Sequence, residues 1–344
     1  MPKTQASLDE SRRIRSLIDS RYGIPRSVMQ ANWGVSAIDL STSYQDGREQ
    51  SKYAGTPFDL SGVGARHGQL SRFPQNIAQW IVKFYTPERL GVGESCYFDN
   101  DLPTVLDPTA GHNSRAEAVW RTGRNYVGHD LSAEFQKMNR KVVETLQEEN
   151  SRAMIKNNAQ IKLVEGDSKH TIVYPPVFDL CMTSPPYWDL EDYGPQPEQL
   201  GKNKTYKGFL RDIDKIVEHC YSALKPGAFI VWEAQDFTKK GRFYPYPFQL
   251  MQIFSRYFAL HQVIIVDYGR GFFASFASDI EHSKLVSKEH SYLIVARKRW
   301  ERVNRAERRK TLSQEADVAL REGRLEHQSG FDGMFREIDK TGGV

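Results

Sequence analysis

The 344-residue sequence predicts an α/β protein built on a doubly wound, mostly parallel sheet of seven strands. Three observations carry this. Short apolar runs recur from Thr104 to Ala296, with amphipathic or helix-forming stretches between them. Several of those runs end on an acid or a small-residue turn, the place where a parallel strand hands over to a helix. One handover, Asp107-Pro108-Thr109-Ala110-Gly111-His112-Asn113, holds a glycine just before a helix start, the arrangement that lets backbone approach a ligand.

The elements follow in order. Residues 70–85 place Ile77, Trp80, Ile81 and Phe84 at the i, i+3, i+4, i+7 spacing of one helix face. Thr104–Asp107 reads as a strand, and Ala116–Arg121 as the helix after the glycine loop. Asn125–Asp130 is a second strand, with a helix starting near Ala133, and Ile161–Glu165 is a third. Val177–Met182 is a buried strand that runs into Thr183-Ser184-Pro185-Pro186-Tyr187-Trp188. A helix over Phe209–Leu224 ends at Lys225-Pro226-Gly227. The remaining strands are Ala228–Trp232, Leu260–Val266 and Ser291–Ala296. A charged helical stretch, Leu8–Asp19, opens the chain. The expected division is an N-terminal extension over 1–69, a central domain over 70–298 that holds the sheet, and a basic, helical tail over 299–344.

Composition sets bounds. Hydrophobic content of 39% supports a sizeable core. Three cysteines without paired spacing argue against a disulfide framework or a zinc cluster. The polar start and the lack of a long apolar run predict a protein of the cytoplasm with no membrane partner. The formal charge of +4 is compatible with a polyanion, and its distribution says more. Lys202, Lys204 and Lys207 cluster in one loop, Lys239, Lys240 and Arg242 in another, and Arg297, Lys298, Arg299, Arg305, Arg308, Arg309 and Lys310 near the C-terminus. Any one cluster reads as a solvated face. Three around one edge point to phosphate contacts.

The decisive segment is Ser184-Pro185-Pro186-Tyr187. Two prolines cannot continue a ladder, so the chain leaves the sheet stiff and extended, with free carbonyls and an aromatic tip. Alone, it also reads as a polyproline turn. Its sequence resembles the catalytic motif of the amino-group DNA methyltransferases, which modify cytosine N4 or adenine N6. Serine in the first position is the form typical of the N4-cytosine group. The Asp107–Asn113 loop resembles the same family's S-adenosylmethionine loop, with Thr109 where Phe is usual and Asn113 where a second Gly is usual. The resemblance makes the expected fold that of the class I S-adenosylmethionine-dependent, Rossmann-like methyltransferases. Its cofactor site falls on Phe73, Asp107, Pro108, Thr109, Gly111, Asn113, Asp130 and Asp167.

Within that site Asp130 is expected on the adenosine ribose, although it reads equally as a helix N-cap. Asp167 is expected near the adenine ring. Phe73 either touches the methionine end of the cofactor or staples its own helix. The cofactor half precedes the Ser-Pro-Pro-Tyr half, which corresponds to the family's gamma-type order.

The implied activity is methyl transfer to the exocyclic amine of a base flipped out of duplex DNA, cytosine N4 first. N6-adenine methylation, or an RNA or protein-amide substrate, stands as the alternative. Ser184, Pro185, Pro186 and Tyr187 are the expected catalytic residues, with no metal and no nucleophilic cysteine. Trp188, Lys202, Lys204, Lys207, Lys239 and Arg242 are the expected DNA contacts. For Trp188 a role in packing against the next loop reads as well as one against the base. The resemblance also implies a prokaryotic or phage-encoded enzyme working at the nucleoid, of the kind found with a cognate restriction nuclease.

Overall fold

The computed structural model describes residues 10, 12–14, 16–17, 27–30, 73–111, 114–190, 193, 195–267, 290–299, 314 and 318. Residues 26–300 form one compact unit, and residues 1–25 with 301–344 form another. Of the second unit the described residues, 10, 12–14, 16–17, 314 and 318, are helical. Leu17 is buried there. His112, Asn113, the 268–289 loop, most of the 1–69 extension and the basic residues Arg305, Arg308, Arg309 and Lys310 lie outside the described residues.

The larger unit is a sheet with helices on it. Its strands are β1 (Val28–Gln30), β2 (Thr104–Asp107), β3 (Asn125–Asp130), β4 (Ile161–Glu165), β5 (Phe178–Thr183), β6 (Leu224–Ala234), β9 (Ala259–Asp267) and β10 (His290–Arg297). A separate hairpin pairs β7 (Phe237–Lys239) with β8 (Arg242–Tyr244). The helices are α1 (Gln75–Tyr85), α2 (Ser114–Arg121), α3 (Ala133–Arg152), the single turn α4 (Ser168–Thr171), α5 (Tyr206–Ala223) and α6 (Tyr246–Tyr257).

Strand order is β1-β9-β10-β6-β5-β2-β3-β4. Only β10 runs against its neighbours. All seven expected strands are present, and β1 adds an eighth alongside β9 from within the 1–69 segment. Three residues were too short a run to be seen as a strand. The chain winds outward from β2 through β3 to β4, then returns to lay β5 on the other side of β2. The order therefore reverses between β2 and β5, and at that switch point the two loops leaving the sheet part and open a crevice.

Local chemistry explains the boundaries. Ser132 caps α3 through its hydroxyl, and Thr205 caps α5 the same way. That hydroxyl starts α5 three residues before the expected Phe209. The chain re-enters the sheet at Leu224, so Lys225-Pro226-Gly227 lies within β6, beside a register shift against β5 and with Gly227 at φ +83°. In α1 the buried face is Ile77, Ala78, Ile81, Val82 and Tyr85. The expected Trp80 and Phe84 stack on each other at 4.8 Å along its edge. Two apolar layers enclose the sheet. One, around Trp232, Phe178, Phe209 and Phe254, packs α5 and α6, and the other, around Ile77, Ile81, Val105 and Val119, packs α1 and α2.

Candidate active site

The crevice at the switch point is built on Asp107, the last residue of β2. Its side chain is fully buried and both carboxylate oxygens are in use. Oδ1 accepts from the Thr109 amide at 3.2 Å and the Thr183 hydroxyl at 2.6 Å. Oδ2 accepts from Arg115 Nε at 2.6 Å and the Tyr126 hydroxyl at 2.9 Å. Burial opposes the charge of Arg115. Asp107, with smaller help from Tyr126 and Glu233, outweighs that and holds the guanidinium above its ordinary value. Tyr126 stays protonated, its pKa pushed well up by burial first and by the Asp107 charge second. A carboxylate used four times by the protein shapes the loop above it, and Pro108, Thr109, Ala110 and Gly111 of that loop line the crevice.

The loop itself is held at three points. Arg115 Nη2 donates to the Thr109 carbonyl at 2.6 Å, Ser168 Oγ to the Pro108 carbonyl, and Asn139 Nδ2 to the Gly111 carbonyl at 2.9 Å. Gly111 sits at φ +56°, the left-handed region that a side chain disfavours. In that conformation its amide points at β3 and donates to Asp130 Oδ2 at 2.7 Å. The other Asp130 oxygen accepts from the Ser132 amide at 2.8 Å. Ser132, not Asp130, is therefore the α3 cap. Asp130 remains partly exposed on the crevice wall. Burial pushes its pKa up to about 6, against the pull of the two amides.

Thr109, which stands where the family has Phe, hydrogen-bonds Thr183 at 2.7 Å. Because the Thr183 proton goes to Asp107, Thr109 is the donor in this pair. The cofactor loop is thus tied to the last residue of β5, one position before Ser184. Asp167 faces the crevice and caps α4 by accepting from the Lys169 amide at 2.9 Å.

Beyond Thr183 the chain departs from the sheet as the two prolines require. Ser184, Pro185, Pro186 and Tyr187 form one wall of a cleft whose opposite wall is Phe73, Pro108, Thr109, Gly111 and Asp130. The cleft encloses about 860 Å³, counting the open space at its mouth. Among the described residues no hydrogen bond occupies the Ser184 hydroxyl or the Ser184 and Pro185 carbonyls. Tyr187 stands edge-on to the buried Tyr246, ring centres 6.2 Å apart. Free acceptors beside a flat ring, facing a carboxylate and an apolar wall, can hold an amine-bearing planar group against a second ligand.

Residues 178–332, a little under half of the chain, match the protein-family model described as DNA methylase. The match includes Ser184–Tyr187 and agrees with the resemblance to amino-group DNA methyltransferases that this segment carries. Among solved structures, this chain is similar to TrmN from Thermus thermophilus at 16% identity and a TM-score of 0.41, over 66% of this chain and 49% of that one. It is also similar to a SAM-dependent methyltransferase from Methanosarcina mazei at 13% and 0.40, over 67% of this chain and 100% of that one. A third is NodS, an N-methyltransferase from Bradyrhizobium japonicum, at 10% and 0.37, over 58% and 87%. The chain spans about half the length of TrmN. These likenesses are distant, and the class I methyltransferase fold rests on the strand order itself. No curated protein matches the chain.

The family's cofactor is S-adenosylmethionine, and the cleft fits it. A partly exposed carboxylate on Asp130 suits ribose hydroxyls, and Leu131 and Phe135 beside it give an apolar surface for a flat base. Phe73 is buried with the Arg115 guanidinium 5.7 Å from its ring, and its own edge lines the cleft. Among the described residues no cluster of His, Cys, Asp or Glu is suited to a metal ion, and no helix is long and apolar enough to cross a membrane.

The remaining expected residues divide. Trp188 is turned out of the cleft by a backbone at φ +50° and packs against Tyr206 and Tyr244, each at 5.4 Å. It does not line the cleft. Lys239 lies 4.9 Å over the Trp188 ring and is ion-paired with Asp189, so its charge is already matched within the protein. Lys202, Lys204, Lys207 and Arg242 are exposed. Asn113 lies outside the described residues. Arg115, Tyr126, Thr183, Asn139 and Ser168 escaped the sequence reading. Arg115 alone left a trace, four residues beyond Gly111 on the helix that the loop begins.

Proposed function

We propose that this methyltransferase acts on the exocyclic amine of a base flipped out of duplex DNA, with cytosine N4 as the target. One observation supports it above the others: the Ser184–Tyr187 wall faces the Gly111–Asp130 wall across a single cleft. A flipped base on the first wall and a cofactor on the second would meet there.

Such an amine is a poor nucleophile because its lone pair is delocalised into the ring. Ser184 Oγ and the Pro185 carbonyl accept its two hydrogens, draw the nitrogen towards tetrahedral geometry and localise the lone pair. The two prolines fix those acceptors before the base arrives, so orientation and fixed dipoles supply most of the gain. Tyr187 stacks on the base and offsets part of the cost of unstacking it. When bound, S-adenosylmethionine would supply an electrophilic methyl group, giving up its carbon–sulfur bond to the nitrogen lone pair that Ser184 and Pro185 localise. The proton that the nitrogen then sheds passes by the Ser184 hydroxyl to solvent. On the facing wall Asp130 accepts the ribose hydroxyls, Asp167 lies near the adenine, and Phe73 closes the methionine end. Asp107 holds the loop that carries Pro108, Thr109 and Gly111. Lys202, Lys204, Lys207 and Arg242 meet phosphates.

Serine at position 184 supports cytosine over adenine. Nucleoside mass spectrometry of duplex DNA incubated with protein and cofactor tests this. N4-methylcytosine is expected, and N6-methyladenine alone would overturn the choice of base.

A further inference from the structure

The β7–β8 hairpin, beside the catalytic segment, holds a second recess that methyl transfer leaves unused. Consecutive residues serve the two spaces: Tyr187 lines the cleft, and Trp188, swung away by its positive φ, lines the recess. The indole is fixed in place. Its Nε1 donates to the Asn203 carbonyl at 2.8 Å, and the Lys239 ammonium, anchored on Asp189, lies over its face. Tyr206 and Tyr244 complete the walls, 4.8 Å apart and edge to face, and Phe237 stacks behind Tyr244 at 5.1 Å and 15°. The recess encloses about 740 Å³, counting open solvent, and Lys207 and Arg242 stand exposed on its rim. Arg242 lies 5.4 Å from the Tyr244 ring, and the neighbouring Phe243 is 54% exposed.

Rings held rigidly around a recess, with cations at the rim, are the chemistry that binds nucleobases of an unpaired or distorted strand: stacking on the ring faces, phosphates on the cations. Phe243 extends that ring surface onto the exposed outside of the hairpin. The backbone link from Tyr187 to Trp188 puts the recess one residue, about 3.8 Å of chain, from the wall that takes the target base. We propose that this recess is a second nucleobase subsite, which takes a base neighbouring the flipped one on the same strand. Tyr244 stacks on it while Tyr206 and Trp188, tilted against Tyr244, meet its edge, and Lys207 and Arg242 hold its phosphates. Bases that stack well would be preferred there. This deepens the DNA reading above and rests on it.

The test is binding of the full chain to a fluorescent single-stranded oligonucleotide, which needs no methyl transfer. Tyr244→Ala is expected to weaken binding about tenfold and Tyr244→Phe to keep it, the spread expected of one lost stacking contact. Arg242→Ala should flatten the dependence of log affinity on log salt by about 0.7, whereas Lys137→Ala, a remote exposed cation on α3, should weaken binding no more than any one surface charge does. Photocrosslinking with 5-iodouracil beside the target cytosine should give adducts on Tyr206, Tyr244 or Trp188. Should Tyr244→Ala misfold, Arg242→Ala and the adduct map decide alone. The subsite is overturned if both hairpin variants bind like wild type, or if adducts fall only elsewhere; a recess that serves a protein partner would give that result. Loss of the DNA reading itself shows differently, as wild-type protein that methylates no DNA.

Discussion

On the β2 side of the cleft four donors converge on the buried Asp107 carboxylate, whereas on the β5 side the Ser184 and Pro185 oxygens face the cleft with no partner among the described residues. The first wall gets its shape from a saturated network under the surface. The second gets it from covalent stiffness, two prolines directly after a strand, and keeps its acceptors for a ligand. Damage should therefore be read differently on each side: as lost stability and cofactor affinity on the first, as lost turnover on the second.

The largest effect expected is from Asp107→Ala. It strands the buried Arg115 charge and should cost about 3–5 kcal/mol of stability in urea unfolding, with cofactor binding lost in calorimetry. Stability close to wild type would break the comparison. Ser184→Ala removes an acceptor but no packing. It should lower kcat about 10²–10³-fold while stability changes by less than about 0.5 kcal/mol, and equal losses of kcat and cofactor affinity would contradict the division.

Acid should act on the first wall alone. On the proposed reading Asp130, held up to about 6 by burial against two amides, is a stronger acceptor for ribose hydroxyls when ionised. Cofactor affinity should therefore fall as pH drops through about 6. Stability of the cofactor-free fold runs the other way. A carboxyl whose folded pKa lies above its ordinary value of 3.8 takes up its proton earlier when folded, so the fold gains stability as pH falls from about 6 towards 4. Asp130→Asn should abolish both trends. The smallest effect expected is the coupling across the cleft. In a double-mutant cycle of Thr109→Val with Thr183→Val, the hydroxyl pair should show about 1 kcal/mol of interaction in stability. A value near zero would mean that the two walls are independent.

The difference between the walls also explains what could be read from the sequence. Ser184-Pro185-Pro186-Tyr187 was legible because its behaviour is local: prolines act on the backbone next to them, and the preceding apolar run marks a strand. The strands of the sheet and Gly111 were legible for the same reason. The Asp107 network was not, since its donors come from residues 8, 19 and 76 positions away and meet only once β2, β3 and β5 are side by side. Thr109 looked like a loss of the family's Phe, yet the fold gives its hydroxyl a partner on the other wall. Strand β1 was invisible because three residues carry no period, and its pairing with β9 is a tertiary event. For Trp188 the sequence left packing and base contact equally open, because the positive φ that turns its side chain is announced by no pattern of neighbours.

The proposed reaction requires one cleft to bring a base amine and a methyl donor together. Its most direct test is nucleoside mass spectrometry on duplex DNA treated with wild-type protein and with Ser184→Ala in the presence of S-adenosylmethionine. Wild type should yield N4-methylcytosine and Ser184→Ala at least a hundredfold less; no methylated base in DNA from active, cofactor-binding protein would contradict it.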